Sequence, residues 1–215
     1  MEKRVTTVFL LLGVSLLSFG QSAERHIAKL ELRQKEKKTF QGRHGDSTSV
    51  LYIDTLIMKD RASLRFFGKK EVKIVVKHAE IGEKAVISGV AGANNASNFD
   101  IAMNLQKLGS LYVIARGLDA MNGTKTHPNG DAGTVRFAYD GAGITPQSAD
   151  KKAQNYLSVD VSPGGRTTHP TADLHQIHSR IATAPPGLRG LPQGQIYSGS
   201  PGREGSVFLV MDDGL

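Results

Sequence analysis

The chain has no cysteine and no tryptophan in its 215 residues, and aromatic side chains make up only 6%. Without thiols it can form no disulfide, no thiolate metal centre and no cysteine nucleophile, so its stability must come from packing and backbone pairing. Scarce aromatics leave no stacking platform for single-stranded nucleic acid, and no nucleic-acid partner is expected. Long hydrophobic runs are missing too. The main apolar stretch covers Val8 to Leu12 and resumes from Val14 to Leu17, well short of the roughly 20 residues a spanning helix needs.

That stretch has a recognisable setting. Lys3 and Arg4 precede it, and Ser18, Gly20, Ser22 and Ala23 follow. A positive start, a short apolar centre and small residues at the end make a secretory signal peptide over residues 1–20, with Gln21 as the first mature residue. The expected location is therefore secreted, periplasmic or cell-surface, with no transmembrane span once the leader is removed. The net charge of +7 is spread along the chain, and Lys35, Lys37 and Lys38 sit beside Glu36 as Lys69 and Lys70 sit beside Glu71. A dispersed basic surface suits acidic glycans or other anionic components of an envelope.

Residues 21–50 are polar and charged, with a brief apolar signal at Ile27, Leu30 and Leu32. From Leu51 to Gly117 apolar and polar residues alternate in short runs, the period of half-buried strands. Val72, Ile74 and Val76 share one face, as do Phe99, Ile101, Met103 and Leu105, and then Leu111, Val113 and Ala115. Turn-forming Asp60, Gly68, Gly82, Gly89, Gly92, Asn94, Asn95 and Gly109 separate the runs. Residues 51–215 thus read as a single β-rich domain that becomes loop-rich from about 118. Later strands are expected around Val135, Phe137 and Tyr139, around Leu157, Val159 and Val161, and around Val207, Leu209 and Met211. One helix is expected from Thr171 to Ile181, started by Pro170 and stopped by Pro185 and Pro186. Evenly spaced strands without hairpin dipeptides favour an all-β, solenoid-like stack with one short helix and long Gly/Pro-rich loops. An antiparallel β-sandwich is the alternative architecture.

Several residue groups are candidates for chemistry. The exposed cations Lys69, Lys70, Lys73, Lys77 and Arg116 could hold an acidic ligand. Lys73 and Lys77 point outward together if Val72, Ile74 and Val76 point inward. Asp119, Asn122, Asn129 and Asp131 lie in a Gly/Asn-rich loop whose oxygens could bind calcium, but the DxDxDG spacing of an EF-hand is absent and turn-closing Asx bonds, which need no ion, are the better explanation. His175 and His178 stand three apart on the expected helix, as metal ligands can, but lack an intervening glutamate base. Val75 to Glu80, Ile81 to Val86 and Ile87 to Gly92 show hexad spacing, which resembles the left-handed hexapeptide β-helix of acyltransferases. No serine-nucleophile elbow, phosphate loop or dinucleotide fingerprint occurs.

Glycines recur at every third position beside proline in PPGLRG (185–190) and GSPGREG (199–205), a short echo of collagen. LYIDTLIMKDRASLRFF, KHAEIGEKAVISG, LGSLYVIARG and SPGREG together resemble exported bacterial proteins with strand-rich repeats and glycine-rich, collagen-like segments. The resemblance implies an envelope or extracellular location and brings no catalytic residues. The functional expectation is a non-enzymatic exported protein with a structural, adhesive or glycan-binding role. Alternatives are a carbohydrate-active enzyme of lyase or glycosidase type and a hexapeptide acyltransferase.

Overall fold

A computed structural model describes residues 23–42, 47–120, 127–165, 170–183 and 200–212. The leader, Asn122, Pro185, Pro186 and the glycines of 185–190 lie outside the described residues. The chain winds as a β-solenoid. A long strand on one side turns a corner into a short strand on the other, and each such rung lies directly on the last. The first rung is β1 (Ala23–Leu32) and β2 (Lys37–Gln41), the second β3 (Thr48–Met58) and β4 (Ser63–Phe67). The third is β5 (Glu71–Ile81) and β6 (Ala85–Gly92), with the two-residue β7 (Asn95–Ala96) antiparallel beside β6. The fourth is β8 (Asn98–Leu108) and β9 (Ser110–Ile114), the fifth β10 (Val135–Asp140) and β11 (Tyr156–Asp160). A helix, α1 (Pro170–Thr183), and a last strand, β12 (Val207–Asp212), follow.

The long strands form sheet A in the order β1-β3-β5-β8-β10-β12, and the short ones form sheet B in the order β11-β9-β6-β4-β2. All pairings along both orders are parallel. Parallel neighbours cannot come from hairpins, so the antiparallel sandwich is excluded. The described part of the polar N-terminal segment, residues 23–42 and 47–50, belongs to the stack, with Leu32 and Phe40 in the common core.

Alternation places the aliphatics as the sequence implied. Leu51, Ile74, Ile101 and Phe137 occupy one register position on successive strands of sheet A, all buried. From sheet B, Leu64, Ile87 and Val113 do the same and meet them across the interior. With no thiol to staple it, this continuous column of branched side chains carries the stability. The corners between the sheets repeat as well. Lys35, Arg61 and Lys84 each have a left-handed backbone (φ +62°, +60° and +57°). The Lys35 N–H donates to the Asp60 carbonyl and that of Arg61 to the Glu83 carbonyl, so each corner rests on the next.

The hexad spacing does not produce a hexapeptide prism. Such a prism turns a corner every six residues, whereas β5 runs unbroken for 11. Val75, the first residue of the first hexad, lies on the outward row, while Ile81 and Ile87 point inward.

Downstream of β9 the packing changes character. The Gly133 N–H donates to the Ala115 carbonyl and that of Gly130 to the Leu118 carbonyl, both at 2.9 Å. The Gly205 N–H likewise reaches the Val161 carbonyl and that of Gly202 the Gly164 carbonyl, both at 3.1 Å. In each pair the bonded positions are three residues apart on both segments, which run in opposite directions. A β-ladder repeats every two residues; a three-residue repeat belongs to extended chains of the polyproline II type. The bond from Gly164 N–H to the Gly130 carbonyl joins the two pairs. Glycine is required because the backbones touch: a Cβ on Gly130 would overlap the Asn94 carbonyl, and one on Gly117 or Gly202 the Gly130 carbonyl. The collagen-like spacing of Gly202 and Gly205 therefore serves an intramolecular bundle at the side of the solenoid.

Candidate functional site

The outward rows of the two sheets differ in charge. On sheet A, cations are mixed with carboxylates. Lys77 Nζ lies 2.7 Å from Asp54 Oδ1, and Arg136 Nη1 lies 2.9 Å from Asp100 Oδ1. Asn98 Nδ2 donates to Glu71 Oε1, and Asn104 Nδ2 to Asp140 Oδ2. Hydrogen bonding and charge from Lys77 hold the Asp54 carboxyl below its usual value, and Lys29 acts in the same way on Glu31.

This setting changes the reading of the lysine cluster. Val72, Ile74 and Val76 are buried, so Lys73 and Lys77 do point outward together. Lys77, however, is paired with Asp54, and Lys73 lines a shallow depression with Glu71 and Asp100. Lys69 is not an exposed cation at all. It is 4% exposed, and its Nζ donates to the Thr48 carbonyl at 2.9 Å, closing the bend before β5. Lys70 is exposed at that bend, in a depression shared with Asn95 and Asp131. Arg116 follows β9, where Leu111, Val113 and Ala115 are buried and the alternation turns Tyr112, Ile114 and Arg116 outward from sheet B.

The loop residues read as calcium ligands are engaged with backbone. Asp119 Oδ1 accepts from the Gly165 N–H at 2.7 Å. Asn129 is buried, its Oδ1 accepting from Ala120 N–H and its Nδ2 donating to the Ser200 carbonyl. Asp131 Oδ1 accepts from Arg203 N–H, with Arg203 Nε 3.4 Å from Oδ2. These three side chains pin the glycine segments to one another, the Asx chemistry that needs no ion. His175 and His178 are both exposed on α1, and Leu174 on that helix is 55% exposed. Among the described residues no three His, Asp or Glu side chains group as metal ligands would, and no helix is long and apolar enough to cross a membrane.

Sheet B presents a different surface. Its outward positions are Lys37, Thr39 and Gln41 on β2, Arg65 and Phe67 on β4, then Ser88 and Val90 on β6, and Tyr112 and Ile114 on β9. The first acidic outward residue along this face is Asp160 at the end of β11, and Ser162 occupies its Oδ1 through both N–H and hydroxyl. Register sets Arg65 between Thr39 and Ser88, and Phe67 between Gln41 and Val90. These six residues line a shallow depression of about 300 Å³. The Phe67 ring is 56% exposed. Arg65 Nε donates to Ser63 Oγ at 3.2 Å, and among the described residues its guanidinium pairs with no carboxylate. Further along, Tyr112 and Tyr156 meet edge to face at 5.8 Å, with Lys151 Nζ 5.9 Å from the Tyr112 ring.

Sequence reasoning missed this face because it weighed cations by clustering. The signal was the parity of Leu64-Arg65-Phe66-Phe67: if Leu64 and Phe66 point inward, Arg65 and Phe67 must point out. Chemically the depression offers a flat apolar ring, a guanidinium fork and hydroxyl and amide groups at the spacing of stacked strands, about 4.8 Å. No family model, curated protein or solved structure matches the chain.

Proposed function

We propose that this is an exported, non-catalytic β-solenoid that binds an extended acidic glycan along the outer face of sheet B. The observation that carries the reading is the Arg65–Phe67 depression, an exposed aromatic beside a cation with no acidic partner among the described residues. The apolar face of a sugar ring stacks on Phe67, a carboxylate or sulfate meets the Arg65 guanidinium, and Thr39, Gln41 and Ser88 supply hydroxyl and amide contacts. A linear polymer suits a surface whose positions repeat from rung to rung. The leader at residues 1–20 supports export to a compartment where such polymers occur. Sheet A is the weaker candidate, because a polyanion there would meet Glu71, Asp100 and Asp54 as well as Lys73 and Lys77.

Titration of the mature protein with acidic and neutral oligosaccharides tests this. Acidic ligands should bind saturably and more weakly as salt rises. Arg65→Gln and Phe67→Ser should each weaken binding about tenfold, the loss of one charge-assisted contact or one stacked ring. Lys73→Gln with Lys77→Gln should leave it unchanged. Binding that ignores Arg65 and Phe67 but falls with the two lysines would move the site to sheet A. Release of shortened or unsaturated products would instead favour a carbohydrate-active enzyme.

A further inference from the structure

We infer, resting on the reading of sheet B as a glycan-binding face, that Tyr112, Tyr156 and Lys151 form a second subsite for the same acidic chain, which runs obliquely across sheet B from β4 to β11. The two places share one chemistry. Phe67 stands two residues from Arg65 on β4. The Lys151 ammonium lies 5.9 Å from the centre of the Tyr112 ring, and that ring meets Tyr156 edge to face. A ring beside a cation suits a sugar that carries an acid group. Both cations are available to a ligand, since among the described residues no carboxylate pairs with Arg65 or Lys151.

The turn that carries Lys151 is held in shape by Gln147. Its Oε1 accepts from the Asp150 N–H at 2.9 Å, and its Nε2 donates to the Asp150 and Gln154 carbonyls at 2.8 and 3.2 Å. Asp150 is the one carboxylate in that turn, and its Oδ1 accepts from the Lys152 N–H instead of pairing with Lys151. Lys151 itself is exposed, over two half-buried tyrosines. A cation placed by its own backbone turn loses little freedom when a ligand arrives.

Acids mark the borders of the path. Straight across the rungs from Arg65, register leads through Ser88 and Ile114 to Asp160, where an acidic chain would be repelled. At the corner before β6, Glu83 Oε2 accepts from the Ser110 hydroxyl at 2.9 Å and bounds the other side. Between them the oblique route crosses uncharged Ser88, Val86 and Ile114 to reach Tyr112. Val90 stands beside Phe67 and Val86 beside Tyr112, so the two rings are two strands and four residues apart, about 16 Å between Cα positions. A disaccharide is too short to lie on both rings; an octasaccharide is long enough.

Calorimetric titration of the mature protein with oligogalacturonates, a disaccharide against an octasaccharide, tests the inference. Two disaccharides but one octasaccharide should bind per chain, and the octasaccharide should bind about a hundredfold more tightly. A longer chain sliding over a single site would gain only severalfold. Lys151→Gln with Tyr112→Ser should bring the octasaccharide close to the disaccharide affinity and leave one disaccharide bound, still dependent on Arg65 and Phe67. Lys151→Glu changes only an exposed turn position, so it should keep the circular dichroism spectrum and weaken the octasaccharide at least about tenfold. Similar affinities for the two lengths, or octasaccharide binding that ignores Lys151, would overturn the second subsite while disaccharide binding at Arg65 left the first standing. Polyglutamate bound as tightly as the octasaccharide would overturn it in favour of an acidic protein. Failure of every acidic sugar to bind would remove both subsites together.

Discussion

From Ala23 to Ile114 each rung meets the last through aliphatic side chains at every second position, whereas segments 115–118 and 130–133, and likewise 161–164 and 202–205, meet at every third, through glycine. The first arrangement uses volume. Branched side chains fill the space between two sheets, and removing one leaves a cavity that a rigid stack cannot close. The second uses the lack of it. Backbones approach until carbonyls and N–H groups bond directly, and adding one methyl group pushes them apart. Rung spacing reflects the same change. Bonded residues on successive rungs lie 23, 26 or 27 apart in the upstream part, but 36 and then 72 apart downstream. Longer connections between rungs accumulate in the part of the chain that holds the glycine contacts.

Substitutions that exchange these two logics should separate them. Ile101→Ala, at a position 0% exposed in the middle of sheet A, should cost about 2–5 kcal/mol and lower the denaturation midpoint of the whole molecule. Gly130→Ala should cost about 3 kcal/mol or less, because the new Cβ meets the Asn94 carbonyl and only local shifts can relieve it. Its effect should be regional: limited proteolysis should cut first in 115–134 and 200–206 while β1 to β9 stay protected. Gly92→Ala is the control. It has a positive φ of +130° but no atom within 4 Å of the new methyl group, so its cost is backbone strain alone. If Gly130→Ala proved as mild as Gly92→Ala, the close-contact account of the bundle would fail.

The smallest effect concerns the ion pairs of sheet A. Asp54 has a folded-state pKa lowered by Lys77. Its contribution to stability is therefore fully present above the ordinary carboxylate range and is lost as pH falls through the lowered value. Both partners are solvent-exposed, so the contribution is minor. Lys77→Met should return the Asp54 carboxyl titration, followed by NMR, towards its ordinary value and leave the thermal midpoint nearly unchanged. A large loss of stability would mean that this exposed pair supports the solenoid rather than its surface charge alone.

Much of the upstream fold is legible in the chain because alternation survives where a strand has a neighbour on each side. Phe99, Ile101, Met103 and Leu105 are all buried as their spacing implies. The first rung is harder to read. β1 and β2 sit at an end of the stack, so Ile27 and Leu30 are only partly buried and the polar residues between them blur the period. β12 shows the converse: Val207, Leu209 and Met211 alternate like core residues yet are exposed, and among the described residues no strand of sheet B beyond β11 faces them. The helix is present, from Pro170 to Thr183, with Leu174 of its expected apolar face in solvent.

Local chemistry alone was enough to set which side chains point inward, where the chain must turn and which backbones can come close, because a two-residue pleat and the missing Cβ of glycine act over a few neighbouring residues. Which cations keep company with carboxylates, and which stand free beside an exposed ring, was decided by register between residues more than twenty positions apart. Lys77 meets Asp54 and Arg65 lies between Thr39 and Ser88 only because whole rungs stack. That register comes from the aliphatic interior closing on itself, and it is carried by no short stretch of the chain.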